Sequence, residues 1–177
     1  EQERSALHAT IWKIANDLRG SVDGWDFKQY VLGMLFYRFI SENITAYINE
    51  KEREAGHKNF DYALAKDKDV KGAKRDIVEE KGFFILPSEL FVNVKRNASE
   101  DTNLNETLEK VFHNIEASAK GTESEEDLKG LFDDLDVNSN KLGSTVKKRN
   151  ELLTKLMNSI GDLNLQDNFE ENATDIF

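Results

Sequence analysis

The stretch FKQYVLGMLFYRFISENITAYINEKEREA, residues 27–55, decides the fold of this 177-residue chain. It contains no proline and only one glycine, Gly33, so little in it would stop a helix over roughly eight turns. Its apolar side chains are too many for one stripe and extend around most of the helix surface: Tyr30, Val31, Met34, Leu35, Phe36, Phe39, Ile40, Ile44, Tyr47 and Ile48. We therefore predict a long helix, capped by Asp26, at the centre of a helical bundle.

Shorter elements are predicted on both sides of this central helix. A helix over residues 5–19 precedes it, because apolar residues recur there at helical spacing and Gly20 follows. Residues 57–81 are polar and rich in charges of both signs, which predicts a mobile loop followed by a short helix at 74–81. Residues 82–87, GFFILP, are interpreted as a buried extended segment or an edge strand, since the residue before a proline favours an extended backbone.

Four helices are predicted in the remainder of the chain. Ser88 is expected to cap a short helix that carries Leu90 and Phe91. A longer helix should start at Asn103, with Glu106 at the capping-box position, and end at Gly121. A short helix opens at Ser124, and the last one runs over residues 145–160 with its apolar side chains facing inward: Val146, Leu153, Leu156, Met157 and Ile160. Residues 166–177 show no stop signal and no amphipathic pattern.

These patterns together predict an all-α fold. We expect a multi-helix bundle with a long central helix and at most one short extended or β segment near residues 83–87. Trp12, Trp25 and the Phe36–Phe39 stretch could form core or interface, and the core is the favoured interpretation. Residues 1–177 are expected to form a single domain.

The composition restricts where this domain acts and what it binds. The chain has no cysteine and no apolar run long enough to span a membrane, so we expect a soluble, cytoplasmic protein. It carries 24 basic and 34 acidic residues, and the whole acidic excess lies after residue 98. Because affinity for duplex DNA comes largely from cations that neutralise phosphates, the chain alone should bind DNA weakly. The acids are interpreted mainly as solvated helix surface.

The acidic run that begins at Asp134 superficially resembles a calcium-binding loop. Such a loop needs glycine at its sixth position and a bidentate glutamate at its twelfth, where this chain has Ser139 and Thr145. No Gly-x-Gly exists for a nucleotide loop, and the single proline excludes an Asn-Pro-Pro catalytic motif. The three histidines show no zinc spacing. We therefore expect no catalytic, cofactor-binding or metal-binding residue within these 177 residues.

Lys147, Lys148 and Arg149 form a basic cluster in the acidic half of the chain. On a helix three consecutive residues span about 200°, so they cannot all face one row of phosphates. A solvated helix start is one interpretation. Contact with DNA or with a partner subunit is the other.

Three motifs, in the same order along the chain, resemble one protein family. They are LHATIWKIANDLRGSVDGWDFKQYVLGMLFYRFISE at 7–42, GFFILPSELF at 82–91 and NSNKLG at 138–143. Together they are similar to the N-terminal helical domain of the modification (methyltransferase) subunit of type I restriction-modification systems, the HsdM type. The residues that carry this resemblance are Trp12, Arg19, Gly20, Arg38, Phe39, Pro87, Asn138, Asn140, Leu142 and Gly143.

The resemblance implies part of a larger enzyme that methylates adenine N6 in DNA with S-adenosylmethionine. It implies that the cofactor and catalytic motifs follow residue 177, and that this domain helps to assemble a clamp around double-stranded DNA. The implied partners are a specificity subunit, a second modification subunit and a restriction subunit. The alternative is a free-standing acidic helical adaptor with no nucleic-acid role.

Overall fold

The computed structural model describes residues 2–20 and 22–164, and within that part of the chain all regular structure is helical. This confirms the all-α prediction. The α-helices are α1 (Gln2–Leu18), α2 (Gly24–Glu54), α3 (Asp67–Val70), α4 (Lys74–Lys81), α5 (Phe91–Asn97), α6 (Leu104–Ser118), α7 (Glu125–Asp133) and α8 (Val146–Gly161). Single 3-10 turns occur at Tyr62–Leu64, Lys71–Ala73, Pro87–Glu89, Ala98–Glu100 and Asn140–Leu142.

The long central helix is confirmed as α2, which has 31 residues and is therefore about 46 Å long. It packs against α1, α5 and α8. Its capping residue is Asp23 and not Asp26, because the Asp23 carboxylate accepts hydrogen bonds from the backbone N–H groups of Trp25 and Asp26. Gly33 allows the side chain of Leu135 to lie directly on the helix backbone.

Helices α2 and α8 run side by side in the same direction, as two contacts show. At one end, Lys141 just before α8 forms an ion pair with Asp26 in the first turn of α2, 3.4 Å apart. At the other end, the Arg38 guanidinium donates to the carbonyl of Ile160 in α8 at 2.6 Å. The two contacts are about 18 Å apart along α2, and the 16 residues of α8 span about 24 Å. Both helices therefore begin at one end of the bundle, which we call the basic end because the exposed Lys147 and Lys148 lie in the first turn of α8.

A cluster of aromatic rings lies at the centre of the core. The fully buried Tyr37 of α2 packs edge-on against Phe91 of α5 and Phe112 of α6, with ring centroids 5.5 and 5.3 Å apart. Phe112 in turn stacks on Phe132 of α7 at 4.5 Å. These contacts join α2 to helices from later in the chain. They also add to the stability gained by burying the rings.

The predicted loop before residue 74 contains helical turns, whereas the short helix predicted at 74–81 is confirmed as α4. Tyr62 is fully buried, its N–H donates to Asn49 of α2 and its hydroxyl donates to the Ile85 carbonyl. The buried Tyr62 was not predicted because the charged residues around it indicated a mobile loop.

Residues 83–86 belong to no helix and pair with no strand in the described part of the chain, and residues 83–85 are buried. The edge-strand interpretation is therefore wrong, and Leu86 has the extended backbone expected before a proline. Pro87 begins a 3-10 turn. The prediction that Ser88 caps a helix is wrong, because its N–H and hydroxyl both donate to Asp67. Helix α5 starts at Phe91, whose N–H donates to the Ser41 hydroxyl at 3.0 Å.

Helix starts in the second half are predicted better than their caps. Helix α6 does start after Asn103, but no capping box forms, and Asp101 accepts from the N–H of Asn103 instead. Ser124 precedes α7 without a side-chain cap. Thr145 does cap α8, although Val146 is 46% exposed and not inward. The expectations for residues 166–177 lie outside the described residues.

Candidate functional site

The site begins with a compact turn that leads into α8, residues 138–149, which we call the α8 corner. The Ser139 hydroxyl accepts a hydrogen bond from the Lys141 N–H, which opens the 3-10 turn Asn140–Leu142. Leu142 is buried in the core, and the Thr145 hydroxyl accepts from the Lys148 N–H at 3.2 Å. A short polar cap and one buried leucine therefore hold the turn against the bundle.

Gly143 is required in this corner for lack of space. A Cβ atom at this position would lie 2.9 Å from the Lys148 Cβ and 3.1 Å from the Arg149 backbone nitrogen. Its backbone is extended, so the need for glycine is steric and not conformational. The loop consequently lies directly on the first turn of α8.

Arg149 holds the corner together, while its two neighbours face solvent. Its Nε donates to the Gly143 carbonyl and its terminal nitrogen to the Asn140 side-chain oxygen, both at 2.9 Å. Lys147 and Lys148 are exposed and form no ion pair with any side chain that the structure describes. The structure thus separates one cation of the predicted cluster from the other two.

Asn138 connects the corner to α6. Its side-chain oxygen accepts from the Asn105 amide at 2.6 Å, and its amide donates to Glu109 at 2.9 Å. The Asn105 N–H donates to Asn150 of α8 at 3.0 Å. This row of polar groups fixes the distance between α6 and α8.

The side chains of the calcium-like run turn toward different neighbours. Asp136 accepts from the backbone N–H of Asn138, whereas Asn138 and Asn140 bond to α6 and α8 as described above. Over residues 2–20 and 22–164, no three His, Asp or Glu side chains gather as metal ligands would. No helix in this described region is long and apolar enough to cross a membrane.

The charge at the start of α8 is opposite to what helix stability favours. The positive end of a helix dipole favours acids, and each cation placed there is disfavoured by about 0.3–1 kcal/mol. The first turn of α8 contains no acid and carries Lys147 and Lys148. The dipole and both ammonium groups therefore create a positive surface in the acidic half of the chain.

A pair of tryptophans, one on α1 and one at the start of α2, lies beside a further lysine. The rings of Trp12 and Trp25 have centroids 6.3 Å apart, and the Lys28 ammonium lies 4.8 and 5.1 Å from them. Trp25 is 60% exposed, so its predicted core location is wrong. Sequence reasoning missed this group because Trp12 reaches it from another helix. The spacing of Trp25 and Lys28, three residues apart on one helix, was the available signal.

The remaining residues of the family motifs have structural roles. Arg19 donates to the Val22 carbonyl at 2.6 Å, while Gly20 adopts a left-handed backbone with φ of 57°. Arg38 donates to the carbonyls of Ile160 and Leu163 and so caps the C-terminal end of α8. Phe39 is half-buried against the core, and Pro87 is buried in the 82–91 segment.

Comparisons with known proteins agree with these motifs. A family model described as the HsdM N-terminal domain matches residues 7–160. The chain is 45% identical over 183 residues to the type I restriction enzyme MpnII methylase subunit of Mycoplasma pneumoniae, and it spans 33% of that protein's length. A crystal structure of the type I restriction-modification system methyltransferase subunit from Streptococcus thermophilus matches 97% of this chain. The TM-score is 0.75 at 24% identity, over 37% of that chain, so this likeness shows the fold alone.

Proposed function

This chain belongs to the HsdM N-terminal domain family, and we propose that it is the assembly and DNA-contacting domain of a type I restriction-modification methylase subunit. The complete subunit would methylate adenine N6 in DNA, with S-adenosylmethionine bound by a catalytic domain after residue 177. Residues 1–177 would act as one helical domain that catalyses no reaction.

The observation that carries the DNA role is the exposed pair Lys147 and Lys148 at the positive end of α8. These cations form no ion pair in the described residues and do not stabilise the helix. Their position therefore favours binding of an external anion such as a DNA phosphate. Arg149 supports them by holding the α8 corner in place.

The proposed partners are a specificity subunit, a second modification subunit and a restriction subunit. The chain's net charge of −10 supports protein contacts over most of its surface, because a negative surface repels DNA. Double-stranded DNA would then be held by the assembled complex, with this domain contributing a local basic contact. A cytoplasmic location is part of the same proposal.

The DNA role is tested by neutralising Lys147 and Lys148 together in the assembled complex of full-length subunits. With Lys147→Gln and Lys148→Gln, each domain loses two phosphate contacts. The slope of log affinity against log salt concentration should therefore become shallower by about two per copy. Duplex binding is measured by fluorescence anisotropy over a range of salt concentrations.

Lys155→Gln is the matched control, since Lys155 is an exposed cation further along the same helix. It should leave the salt slope unchanged. If the double variant and the control have equal slopes, Lys147 and Lys148 do not contact DNA.

A further inference from the structure

The two tryptophans of this chain, its only ones, meet at the basic end of the bundle. Trp12 is half-buried on α1 and contacts Trp25, which lies in the first turn of α2 and is 60% exposed. Large aromatic side chains contribute most to stability when they are buried. Within the described fold this ring contacts Trp12 and Lys28 but keeps 60% of its residue surface exposed.

Lys28 restricts what can cover these rings. Its ammonium group lies at the faces of both tryptophans and forms no ion pair with any side chain in the described residues. A purely apolar partner pressed onto the rings would bury this charge without a counterion, which is strongly unfavourable. The partner must bring a flat apolar face and a negative charge together.

A nucleotide brings both, because its base stacks and its phosphate carries the charge. We infer that Trp25, supported by Trp12 and Lys28, is a stacking platform for an unpaired nucleotide whose phosphate binds Lys28. Bases inside a duplex hide their faces, whereas single strands and bases extruded from a duplex expose them. This inference rests on the proposed DNA role and adds the state of the nucleic acid that the domain recognises.

The acids that flank Trp25 in the sequence form no ion pair with Lys28. Asp23 caps α2 and Asp26 pairs with Lys141, so both of these acids are already engaged. Lys141 belongs to the α8 corner, which presents Lys147 and Lys148 at the same end of the bundle. A strand that stacks on Trp25 therefore lies at the same end of the bundle as these lysines.

Intrinsic fluorescence tests the platform directly, since both tryptophans belong to it. The 177-residue chain is titrated with a single-stranded oligothymidylate, the same backbone with abasic sites, and a duplex of equal length. The single strand should quench the emission. The abasic strand and the duplex should quench it much less, because neither offers a free base face.

Two variants separate stacking from charge. Trp25→Ala should weaken single-strand binding about tenfold, as expected when one stacked base is lost. Lys28→Gln keeps both rings and should weaken binding by a smaller factor while making its salt dependence shallower. Leu64→Ala is the matched control, because Leu64 is 74% exposed and lies on a different segment. Circular dichroism first establishes that each variant is folded, and anisotropy measures the affinities.

The outcomes distinguish this inference from the proposed function. Equal affinity of the parent chain and Trp25→Ala for the single strand overturns the platform, as does equal quenching by the abasic strand. Emission that responds to a partner subunit but to no nucleic acid overturns it as well. In each case, a shallower salt slope of duplex binding by the assembled complex on neutralising Lys147 and Lys148 would still support the proposed DNA role.

Discussion

The 82–91 segment and the α8 corner are both family motifs without regular long helices, yet they are held in opposite ways. The 82–91 segment forms hydrogen bonds with side chains from elsewhere in the chain: Tyr37, Ser41, Tyr62, Asp67 and Asn114. The α8 corner is closed mainly by its own Ser139, Thr145 and Arg149. The first segment depends on many distant side chains, whereas the second is closed by its own hydrogen bonds and joined to α6 through Asn138.

This difference indicates which motif can carry a function at the surface. A segment whose carbonyls and N–H groups bond to distant elements cannot change without loss of stability, so it supports the fold. A corner that satisfies its own hydrogen bonds can expose Lys147 and Lys148 at little cost to the core. Substitutions in either region test this difference.

The largest effect is expected from Tyr37→Ala, which removes a fully buried ring from beneath the 82–91 segment. The lost packing against Phe91 and Phe112 should lower the free energy of unfolding by about 3–5 kcal/mol. Tyr37→Phe is the matched variant. It keeps the ring but leaves the Glu89 carbonyl without its donor, which should cost about 1–3 kcal/mol. Urea unfolding followed by circular dichroism measures both, and a loss below 1 kcal/mol for the alanine variant would show that the segment does not depend on α2.

A smaller effect is expected from Gly143→Ala in the α8 corner. The added Cβ would press on Lys148 and on the Arg149 backbone, so the variant should lose about 1–3 kcal/mol. Gly130→Ala is the control, because Gly130 lies inside α7 with no atom within 4 Å of its would-be Cβ. It should gain about 0.5–1 kcal/mol. Equal urea midpoints for the two variants would mean that the corner is not tightly packed.

The smallest expected effect is a dependence on pH from Glu89 in the 82–91 segment. Burial raises the pKa of its carboxyl above the ordinary value of 4.5, although the amide of Asn114 that donates to it acts in the opposite direction. A carboxyl with a raised pKa binds its proton more tightly in the folded state. Its contribution to stability is therefore present below 4.5 and is lost as the pH rises through the raised value.

Glu89→Gln removes this titration while keeping an oxygen that can accept from Asn114. The variant should gain stability relative to the parent chain as the pH rises from about 4 to about 7. Urea unfolding at both values measures the change. A stability difference that stays constant with pH would show that Glu89 does not titrate differently in the folded and unfolded states.

The sequence predicted the helices far better than the residues that end and join them. The dense apolar pattern of residues 27–55 correctly predicted α2, and the last helix predicted over residues 145–160 is α8. The cap of α2 was misplaced because Asp23 and Asp26 are both aspartates that could cap a helix. Only the backbone geometry shows which of them does so. Trp25 was misplaced because a large aromatic residue normally favours the core.

What the sequence determined by itself is the helical fold, its central helix and the family, since these depend on periodicity and on ordered motifs. Only the tertiary structure decided which residues of those motifs face outward. Arg149 looks equivalent to Lys147 and Lys148 until the folded corner turns it toward Gly143 and Asn140. Trp12 and Trp25 likewise meet only because α1 folds back on α2. The physical reason is that side-chain partners are set by contacts between elements, which periodicity along one helix does not contain.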